Sequence, residues 1–344
     1  MTNLKEKYIA TLVGCAVGDS LGMPVESWKR EQIQKYVGRI TDLIYPVLLK
    51  DSKGEFIRKD EFGRLRYLTR DLKRGEYTDD TILTLALAES IAEKKSLDLK
   101  DIAKKQLEAY ELCIQPDGHV KGGFGTTTRL AFNNLRTGKS PLESGIIGGP
   151  GNAPAMKMSP LGLYMDATNS YEKGIQFSNL ISRITHLDHR SIASGAVQSH
   201  CIYTLLRNPT KENFLDSLEK VSQTNETLDK STQEIKLPSL TSKLEWINNN
   251  RDASEKQAFQ ELGNSGRVYE SYPFALFMFQ KYWENPLQGL IETVNYGGDC
   301  DTTGAIYGAL CGSKNGMIFP KNLLNIQNLD KITKAAVRIY ELKK

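Results

Sequence analysis

The sequence lacks the features that mark several classes of protein. Its five cysteines are widely spaced and form no Cys-x-x-Cys pair, which argues against a disulfide framework and against a zinc site. There is no charged-then-apolar signal pattern at the N-terminus, and no apolar run reaches bilayer-spanning length. The net charge is only +4 over 344 residues, and the basic residues are dispersed, so unmodified nucleic acid is not an expected partner. These absences predict a cytoplasmic protein without membrane association.

Helical periodicity dominates what is present. With 40% hydrophobic and 25% charged residues, the composition is that of an ordinary globular protein. Apolar residues recur at helical spacing in several segments, often after a residue that can cap a helix. These segments are 5–19, 78–95, 99–112, 172–184, 190–206, 214–221, 273–282, 287–294, 302–311 and 332–342. Strict alternation is scarce, although 38–49 could hold a short strand, so we predict an all-α fold.

Two polar stretches interrupt the helical pattern. Residues 50–76 are rich in charge and lack periodicity, which predicts a long exposed loop. Residues 207–267 contain the other polar stretch and predict a peripheral helical excursion. Neither stretch resembles a flexible linker between domains, and there is no internal repeat. We therefore predict a single domain over 1–344.

Two short acidic segments are the most informative part of the chain. Thr78-Asp79-Asp80-Thr81 and Asp299-Cys300-Asp301-Thr302-Thr303 each precede an apolar, helix-like run. Carboxylates flanked by hydroxyls provide the oxygen ligands that Mg²⁺, Mn²⁺ or Ca²⁺ prefers. The same residues can instead cap helices, because early carboxylates complement the helix dipole. If folding brings the two segments together, the chain is a metal-dependent enzyme.

The N-terminal segment 14–26 combines spaced glycines with a carboxylate. Gly14, Gly18 and Gly22 are four residues apart and share one helix face, which indicates tight packing against another helix. Glu26 follows Pro24, just beyond the predicted end of the helix. A carboxylate on such a turn either enters a cleft or is solvated.

Two glycine-rich segments and a histidine pair could contribute to a binding site. Segments 122–128 and 148–156 fit neither the Walker nor the Rossmann spacing, but their backbone N–H groups could approach a diphosphate. His186 and His189 are three residues apart without an HExxH context. We expect His186 to form hydrogen bonds in a site rather than to bind a metal, with core packing as the alternative.

Taken together, these segments resemble the ADP-ribosylglycohydrolase family. The resemblance runs in order over nearly the whole chain. The segments that carry it are GCAVGDSLGMPVE (14–26), GEYTDDT (75–81), GGFGTTT (122–128), GNAPAMKMSPLGL (151–163), the Thr-His pair at 185–186 and GGDCDTTGAIYGAL (297–310). The acidic segments are the most specific of these. The usual Gly-Asn-Gly-Ala-Ala-Met is replaced here by Gly-Asn-Ala-Pro-Ala-Met, so Pro154 removes one backbone donor.

The resemblance implies an orthogonal helix bundle with a cleft that holds two Mg²⁺ or Mn²⁺ ions. The implied metal ligands are Thr78, Asp79, Asp80, Asp299, Asp301 and Thr302. The implied substrate-binding residues are Gly122, Phe124, Gly125, Gly151, Asn152, Ala153, Ala155, Met156 and His186. Glu26 or Asp299 would be the catalytic base, and the sequence does not choose between them.

The implied reaction cleaves the bond between the distal ribose C1 of ADP-ribose and an acceptor. The substrate would be an ADP-ribosylated protein or a small ADP-ribose conjugate, with nucleic acid a partner only as a modified acceptor. Arginine, serine, a nucleotide end and O-acetyl-ADP-ribose present the same ADP-ribose half, so the acceptor stays open. A catalytically idle ADP-ribose-binding protein and a metal-dependent hydrolase of small phosphate esters are the alternatives. The same chemistry would suit a counterpart of an ADP-ribosylating toxin.

Overall fold

The structure is a computed structural model, and it describes residues 3–46, 49–50, 56–57, 72–226 and 237–343. The described residues form sixteen α-helices and one short antiparallel strand pair. The helices are α1 (Leu4–Gly22), α2 (Arg30–Tyr36), α3 (Asp79–Lys94), α4 (Leu99–Glu111), α5 (Thr126–Arg136), α6 (Ala153–Lys157), α7 (Ser159–Thr168), α8 (Tyr171–Arg183), α9 (His189–Leu205), α10 (Lys211–Asn225), α11 (Leu240–Asn249), α12 (Glu255–Leu262), α13 (Val268–Lys281), α14 (Pro286–Asn295), α15 (Cys300–Asn315) and α16 (Leu329–Tyr340). The strands are β1 (Leu49–Lys50) and β2 (Phe56–Ile57). The predicted all-α class is confirmed, and the strand expected within 38–49 begins only at its last residue.

Two helices rich in small residues, α1 and α15, pack in direct backbone contact. A Cβ added at Gly18 would collide with the carbonyl oxygen of Gly304, and one added at Gly14 would collide with that of Gly308. A glycine inside a helix costs about 1 kcal/mol relative to alanine, and here the close approach that it permits offsets that cost. Helix packing is therefore the correct explanation for the glycine face of segment 14–26.

The α1–α15 pair is antiparallel. Gly22, at the end of α1, lies against Cys300 at the start of α15, whereas Gly312 near the end of α15 lies against Ala10. The residues that follow α1 are therefore neighbours of segment 299–303, although the two lie at opposite ends of the chain. This pairing creates one side of the candidate site.

By length and composition alone, Leu4–Val25 is long and apolar enough to cross a membrane. The expectation that no apolar segment reaches that length is therefore wrong. In the fold, however, 94% of its most apolar stretch is buried against the rest of the protein. The helix packs on α15, α16 and α3, and a helix that is buried on all sides has no polar face.

The two predicted polar stretches differ in how much of them the structure describes. The excursion at 207–267 contains α10, α11 and α12, and Phe214 of α10 packs against Phe279 of α13 with ring centroids 5.8 Å apart. Residues 227–236 within it lie outside the described part. Most of the loop expected at 50–76 also lies outside it. The single-domain organisation stays a prediction.

Candidate active site

The two acidic segments meet in the structure. Thr302 Oγ1 lies 3.3 Å from Asp80 Oδ2, which joins the start of α15 to the start of α3. Carboxylate oxygens of Glu26, Asp299 and Asp301 lie within 4.8 Å of one another. The convergence that the sequence alone left open is therefore present. The residues that we call the acidic cluster are Glu26, Asp79, Asp80, Asp299 and Asp301.

A buried carboxylate that sequence analysis missed, Asp19, holds the start of α3. It accepts hydrogen bonds from the backbone N–H groups of Thr78 and Thr81, both at 3.0 Å, and from the Thr81 hydroxyl at 2.7 Å. Burial raises the pKa of Asp19 to about 6, although these hydrogen bonds oppose the shift. Charge-assisted hydrogen bonds are roughly twice as strong as neutral ones. Asp19 therefore fixes the backbone that carries Asp79 and Asp80.

A second residue without an obvious sequence signal, Asn264, holds the start of α15. Its carbonyl oxygen accepts from the backbone N–H of Asp299 at 2.9 Å, and its Nδ2 donates to the Gly297 carbonyl at 2.6 Å. Gly298 has a φ of +73°, and a Cβ there would collide with the Asn264 carbonyl oxygen. Only glycine fits both the dihedral angle and the close approach.

Glu26 reaches the acidic cluster because the turn that follows it is hydrogen-bonded to Gly298, the residue before Asp299. The Ser27 N–H donates to the Gly298 carbonyl at 2.6 Å, and the Gly298 N–H donates to the Trp28 carbonyl at 2.7 Å. Ser27 has a φ of +67°, a left-handed conformation that is unfavourable for a residue with a side chain. Backbone strain is thus present next to a candidate catalytic residue.

This strain leads to a prediction about position 27. Ser27→Val should lower the free energy of unfolding by about 1–3 kcal/mol, because a β-branched residue tolerates positive φ poorly. The matched variant Ser27→Gly should keep the wild-type stability within about 1 kcal/mol, since glycine adopts this φ freely. Urea unfolding of both variants measures the difference. Equal losses would show that the dihedral angle is not the cause.

The acidic cluster is electrostatically unfavourable by itself. Burial raises the pKa of Asp79, Asp80 and Asp301 well above the usual range, and repulsion from neighbouring carboxylates adds to the shift. Asp80 Oδ1 and Asp301 Oδ1 are buried and find no hydrogen-bond partner in the described part of the chain. Buried carboxylates need a compensating positive charge, and an all-oxygen set suits a hard divalent ion. The residues present therefore fit a divalent metal site.

A cavity of about 200 Å³ opens beside the acidic cluster. The first turns of α3, α5, α6 and α15 contribute to its lining. Helix N-termini favour anions, because their first N–H groups lack partners within the helix. The cavity lining therefore combines carboxylates, at the starts of α3 and α15, with anion-favouring backbone at the starts of α5 and α6. Besides the acidic cluster, its lining consists of Gly123, Gly125, Thr126, Thr127, Thr128, Gly151, Asn152, Ala153, Met156, His186, Gly266 and Thr302.

Asn152 connects the glycine loop before α6 to the acidic cluster. Its Nδ2 donates to Asp299 Oδ2 at 2.5 Å and to Ser271 Oγ at 2.9 Å. Pro154 is the second residue of α6, where a helix has no internal use for an N–H group. The unusual Ala-Pro pair of this chain is therefore compatible with the helix. The backbone N–H that Pro154 lacks would affect only the binding of a ligand.

The structure places most of the predicted site residues in the lining of this cavity and a few behind it. Those in the lining are Glu26, Asp79, Asp80, Gly125, Gly151, Asn152, Ala153, Met156, His186, Asp299, Asp301 and Thr302. Those behind it are Thr78, Gly122, Phe124 and Ala155. The Gly122 carbonyl accepts from the Asp79 N–H at 2.6 Å, and the Phe124 ring is buried against Tyr110. The ring of Phe124 thus belongs to the core, because aromatic packing buries it away from the cavity.

His186 lies beside Gly151, in the loop before α6. His189, the other histidine of the predicted pair, does not line the cavity. A Cβ added at Gly151 would lie 2.5 Å from His186 Nε2. Burial and the nearby charge of Lys157 lower the pKa of His186 to about 3, so the ring is neutral at pH 7. His189 instead begins α9.

Lys157, the last residue of α6, is fully buried and forms no salt bridge within the described part of the chain. Its Nζ donates to Gln106 Oε1 at 3.1 Å and to Thr185 Oγ1 at 3.2 Å. Burial lowers the pKa of Lys157 from 10.5 to about 7. A buried lysine with only neutral partners is costly and calls for an explanation.

The lowered pKa of Lys157 makes stability depend on pH. Below about pH 7 the folded protein bears the full cost of burying the ammonium group, and the cost falls as the pH rises towards 10.5. We therefore expect wild type to gain stability relative to Lys157→Met between pH 7 and pH 10, by up to about 1.4 kcal/mol per pH unit. Urea unfolding across this range measures the slope. A difference that does not change with pH would contradict the shift.

The sequence matches the family model described as ADP-ribosylglycohydrolase over residues 1–344. An uncharacterized protein of Archaeoglobus fulgidus is 27% identical over 98% of this chain and 97% of its own length. The uncharacterized protein YegU of Escherichia coli K12 is 26% identical over 91% of this chain and 88% of its own. ADP-ribosylhydrolase ARH3 of Mus musculus is 27% identical over 70% of each.

The fold agrees with that match. A solved structure described as an ADP-ribosylglycohydrolase-related protein complex superposes with a TM-score of 0.66 at 22% identity, covering 100% of both chains. At this identity the likeness concerns the fold alone. The family model, in contrast, covers the whole chain. The protein therefore belongs to the ADP-ribosylglycohydrolase family and is a hydrolase of the ADP-ribosyl-acceptor kind.

Proposed function

We propose that the protein removes ADP-ribose from a modified acceptor with the help of two divalent ions, Mg²⁺ or Mn²⁺. The bond that breaks joins the distal ribose C1 to the acceptor, and the products are ADP-ribose and the unmodified acceptor. The observation that carries the proposal is the meeting of the two acidic segments, through Thr302 and Asp80, beside a cavity. Carboxylates and a diphosphate repel each other, so cations are needed for both to occupy one site.

The two kinds of lining in the cavity, carboxylates and anion-favouring backbone, suit the two halves of the ligand. The distal ribose has vicinal hydroxyls that divalent ions near the acidic cluster would bind. The diphosphate would lie against the backbone of Gly123–Gly125 and Gly151–Ala153, next to the first turns of α5 and α6. A simple phosphate ester would use only the backbone that favours an anion. This difference favours ADP-ribose over a small phosphate ester.

The residues that would hold the ions are those of the two acidic segments. When bound, the ions supply Lewis acidity that polarises ligand hydroxyls and lowers the pKa of a water molecule. Asp19 would support these residues without binding an ion, because its carboxylate accepts a 3.0 Å hydrogen bond from the Thr78 N–H. The predicted ligands are Thr78, Asp79, Asp80, Asp299, Asp301 and Thr302.

We assign the proton-accepting role to Glu26 rather than to Asp299. Asp299 is one of the predicted metal ligands, and its Oδ2 already accepts a 2.5 Å hydrogen bond from Asn152, whereas Glu26 is not among the predicted ligands. Glu26 would take a proton from water as the water oxygen attacks C1 of an oxocarbenium-like ribose. The acceptor leaves with the electron pair of the broken bond, and the proton that Glu26 accepted from water is transferred to the acceptor.

A test of the proposal measures ADP-ribose release from a panel of defined substrates. Peptides ADP-ribosylated on arginine or serine, a modified nucleotide end and O-acetyl-ADP-ribose would each be incubated with the protein, with mass spectrometry of the products. We expect release that EDTA abolishes and that Mg²⁺ or Mn²⁺ restores to at least about 100-fold above the EDTA level. The same panel identifies the acceptor.

The alternatives predict different results in the same assay. Phosphate release without ADP-ribose would support a phosphate-ester hydrolase. Tight binding of ADP-ribose without turnover on any substrate would support an idle binding protein. Rescue of cells that co-express an ADP-ribosylating toxin would identify a protective role. We propose that the protein acts in the cytoplasm, where its five cysteines would stay reduced.

A further inference from the structure

We propose that Lys157, Gln106 and Thr185 are positioning residues that fix His186 as a hydrogen-bond donor to the ligand. In this arrangement the neutral imidazole of His186 has its single ring proton on Nε2, and that N–H group points to the cavity. The identity of the ligand rests on the proposed function, whereas the state of the imidazole does not. None of the three positioning residues lines the cavity.

The contacts form a continuous buried chain. Lys157 Nζ lies 3.1 Å from Gln106 Oε1 and 3.2 Å from Thr185 Oγ1. Thr185 Oγ1 in turn lies 3.0 Å from His186 Nδ1. All four side chains are at most 2% exposed, so water does not compete for these hydrogen bonds. We call this chain the lysine relay.

The number of protons on each group determines which group donates in each hydrogen bond of the lysine relay. Below about pH 7 Lys157 is an ammonium group, which only donates, so Thr185 Oγ1 accepts from it. Thr185 has one hydroxyl proton, and within the described part of the chain the other partner of Oγ1 is His186 Nδ1. If Nδ1 carried a proton, the hydroxyl proton would be buried without an acceptor, which is unfavourable. Nδ1 is therefore the acceptor, and the neutral ring has its proton on Nε2.

The other end of the imidazole faces the ligand site. His186 lines the cavity, and its Nε2 is adjacent to Gly151 in the loop before α6. An Nε2–H group donates to an oxygen and cannot ligate a metal or accept a proton. Hydrogen bonds in a chain polarise one another, so the Lys157 charge strengthens the His186 donor. The relay thus suits an anionic oxygen, such as that of a diphosphate.

The tautomer can be measured without metal or substrate. The chain has only four histidines, so ¹⁵N NMR of histidine-labelled protein gives few ring signals, and His186→Gln identifies the one that is lost. At about pH 6, where Lys157 is charged and His186 is neutral, we expect a ring with Nε2 protonated in wild type. Thr185→Val should lose this single state, whereas Thr185→Ser, which keeps the hydroxyl, should retain it. A wild-type His186 protonated on Nδ1 would overturn the proposal, even if Thr185→Val failed to fold.

Calorimetry of ADP-ribose binding with Mg²⁺ present tests whether the relay strengthens the hydrogen bond from His186 to the ligand. We expect Thr185→Val and Lys157→Met to bind about tenfold more weakly and Thr185→Ser to bind like wild type. Unchanged affinity and an unchanged tautomer in Thr185→Val would contradict the relay. If the tautomer behaves as expected but wild type does not bind ADP-ribose, the relay stands and the proposed function fails.

Discussion

Replacing Asp301 by asparagine should reduce ADP-ribosyl hydrolysis by at least about 100-fold and, in the same protein, stabilise the metal-free fold. Asp301 is 4% exposed. Burial and the charges of Glu26, Asp299 and Asp80 raise its pKa well above the usual range. At pH 7 the metal-free folded protein therefore bears a cost, whether this carboxylate stays ionised or takes up a proton, and asparagine removes that cost. The two effects have opposite signs, which a packing defect would not produce.

Three measurements test this prediction. Initial rates with saturating Mg²⁺ or Mn²⁺ give the loss of activity, and urea unfolding in EDTA gives the gain in stability. A third series compares unfolding with and without the ion, because a ligand that binds only the folded state stabilises it. Asp301→Asn should lose most of that ion-dependent gain. The control is Asp252→Asn, which changes an exposed carboxylate. Full activity, or an undiminished ion effect, would refute the metal role of Asp301.

The chemistry of the site could be predicted from the sequence because it depends on short segments. Asp79 and Asp80 follow a hydroxyl residue at a helix start, and Asp299 and Asp301 follow two glycines. Such patterns indicate both a cap and a possible oxygen ligand. What they cannot indicate is that the two segments converge. That depends on the α1–α15 pairing, a contact between opposite ends of the chain.

The residues that support the cluster were harder to predict. Asp19 lies among small and apolar residues in segment 14–26, where the spacing of the glycines indicates only helix packing. An acid inside an otherwise buried helix is itself a signal, since buried carboxylates need partners. Asn264 has no such signal. It lies in the polar excursion, and its role follows only from the path of the backbone beside Gly298.

Proline accounts for two of the differences between the predicted and the observed helices. The segment predicted at 273–282 belongs to α13, which begins at Val268; proline favours the first turn of a helix, but Pro273 lies inside this one. Helix α7 was missed, since Pro160 and Gly162 interrupt its pattern. Both helices are almost entirely buried, and tertiary packing outweighs local propensity there.

The second large effect is expected at the α1–α15 contact. Gly18→Ala adds one methyl group where the Gly304 carbonyl already lies, so the two helices must move apart or the backbone must distort. Backbone cannot rotate away as a side chain can, and overpacking in a dense core costs about 1–3 kcal/mol or more. We expect a loss of at least about 3 kcal/mol in the free energy of unfolding. Activity should fall as well, because Asp19 adjoins the altered residue.

Urea unfolding with EDTA present measures this loss without the contribution of bound ions. The control is Lys5→Ala, which places the same side chain in the same helix at a partly exposed position. We expect its stability to stay within about 0.5 kcal/mol of wild type. A Gly18→Ala protein as stable as this control would mean that the helices can separate at little cost. The alignment of the two acidic segments would then have to depend on the hydrogen bonds of Asp19 and Asn264 rather than on the contact between α1 and α15.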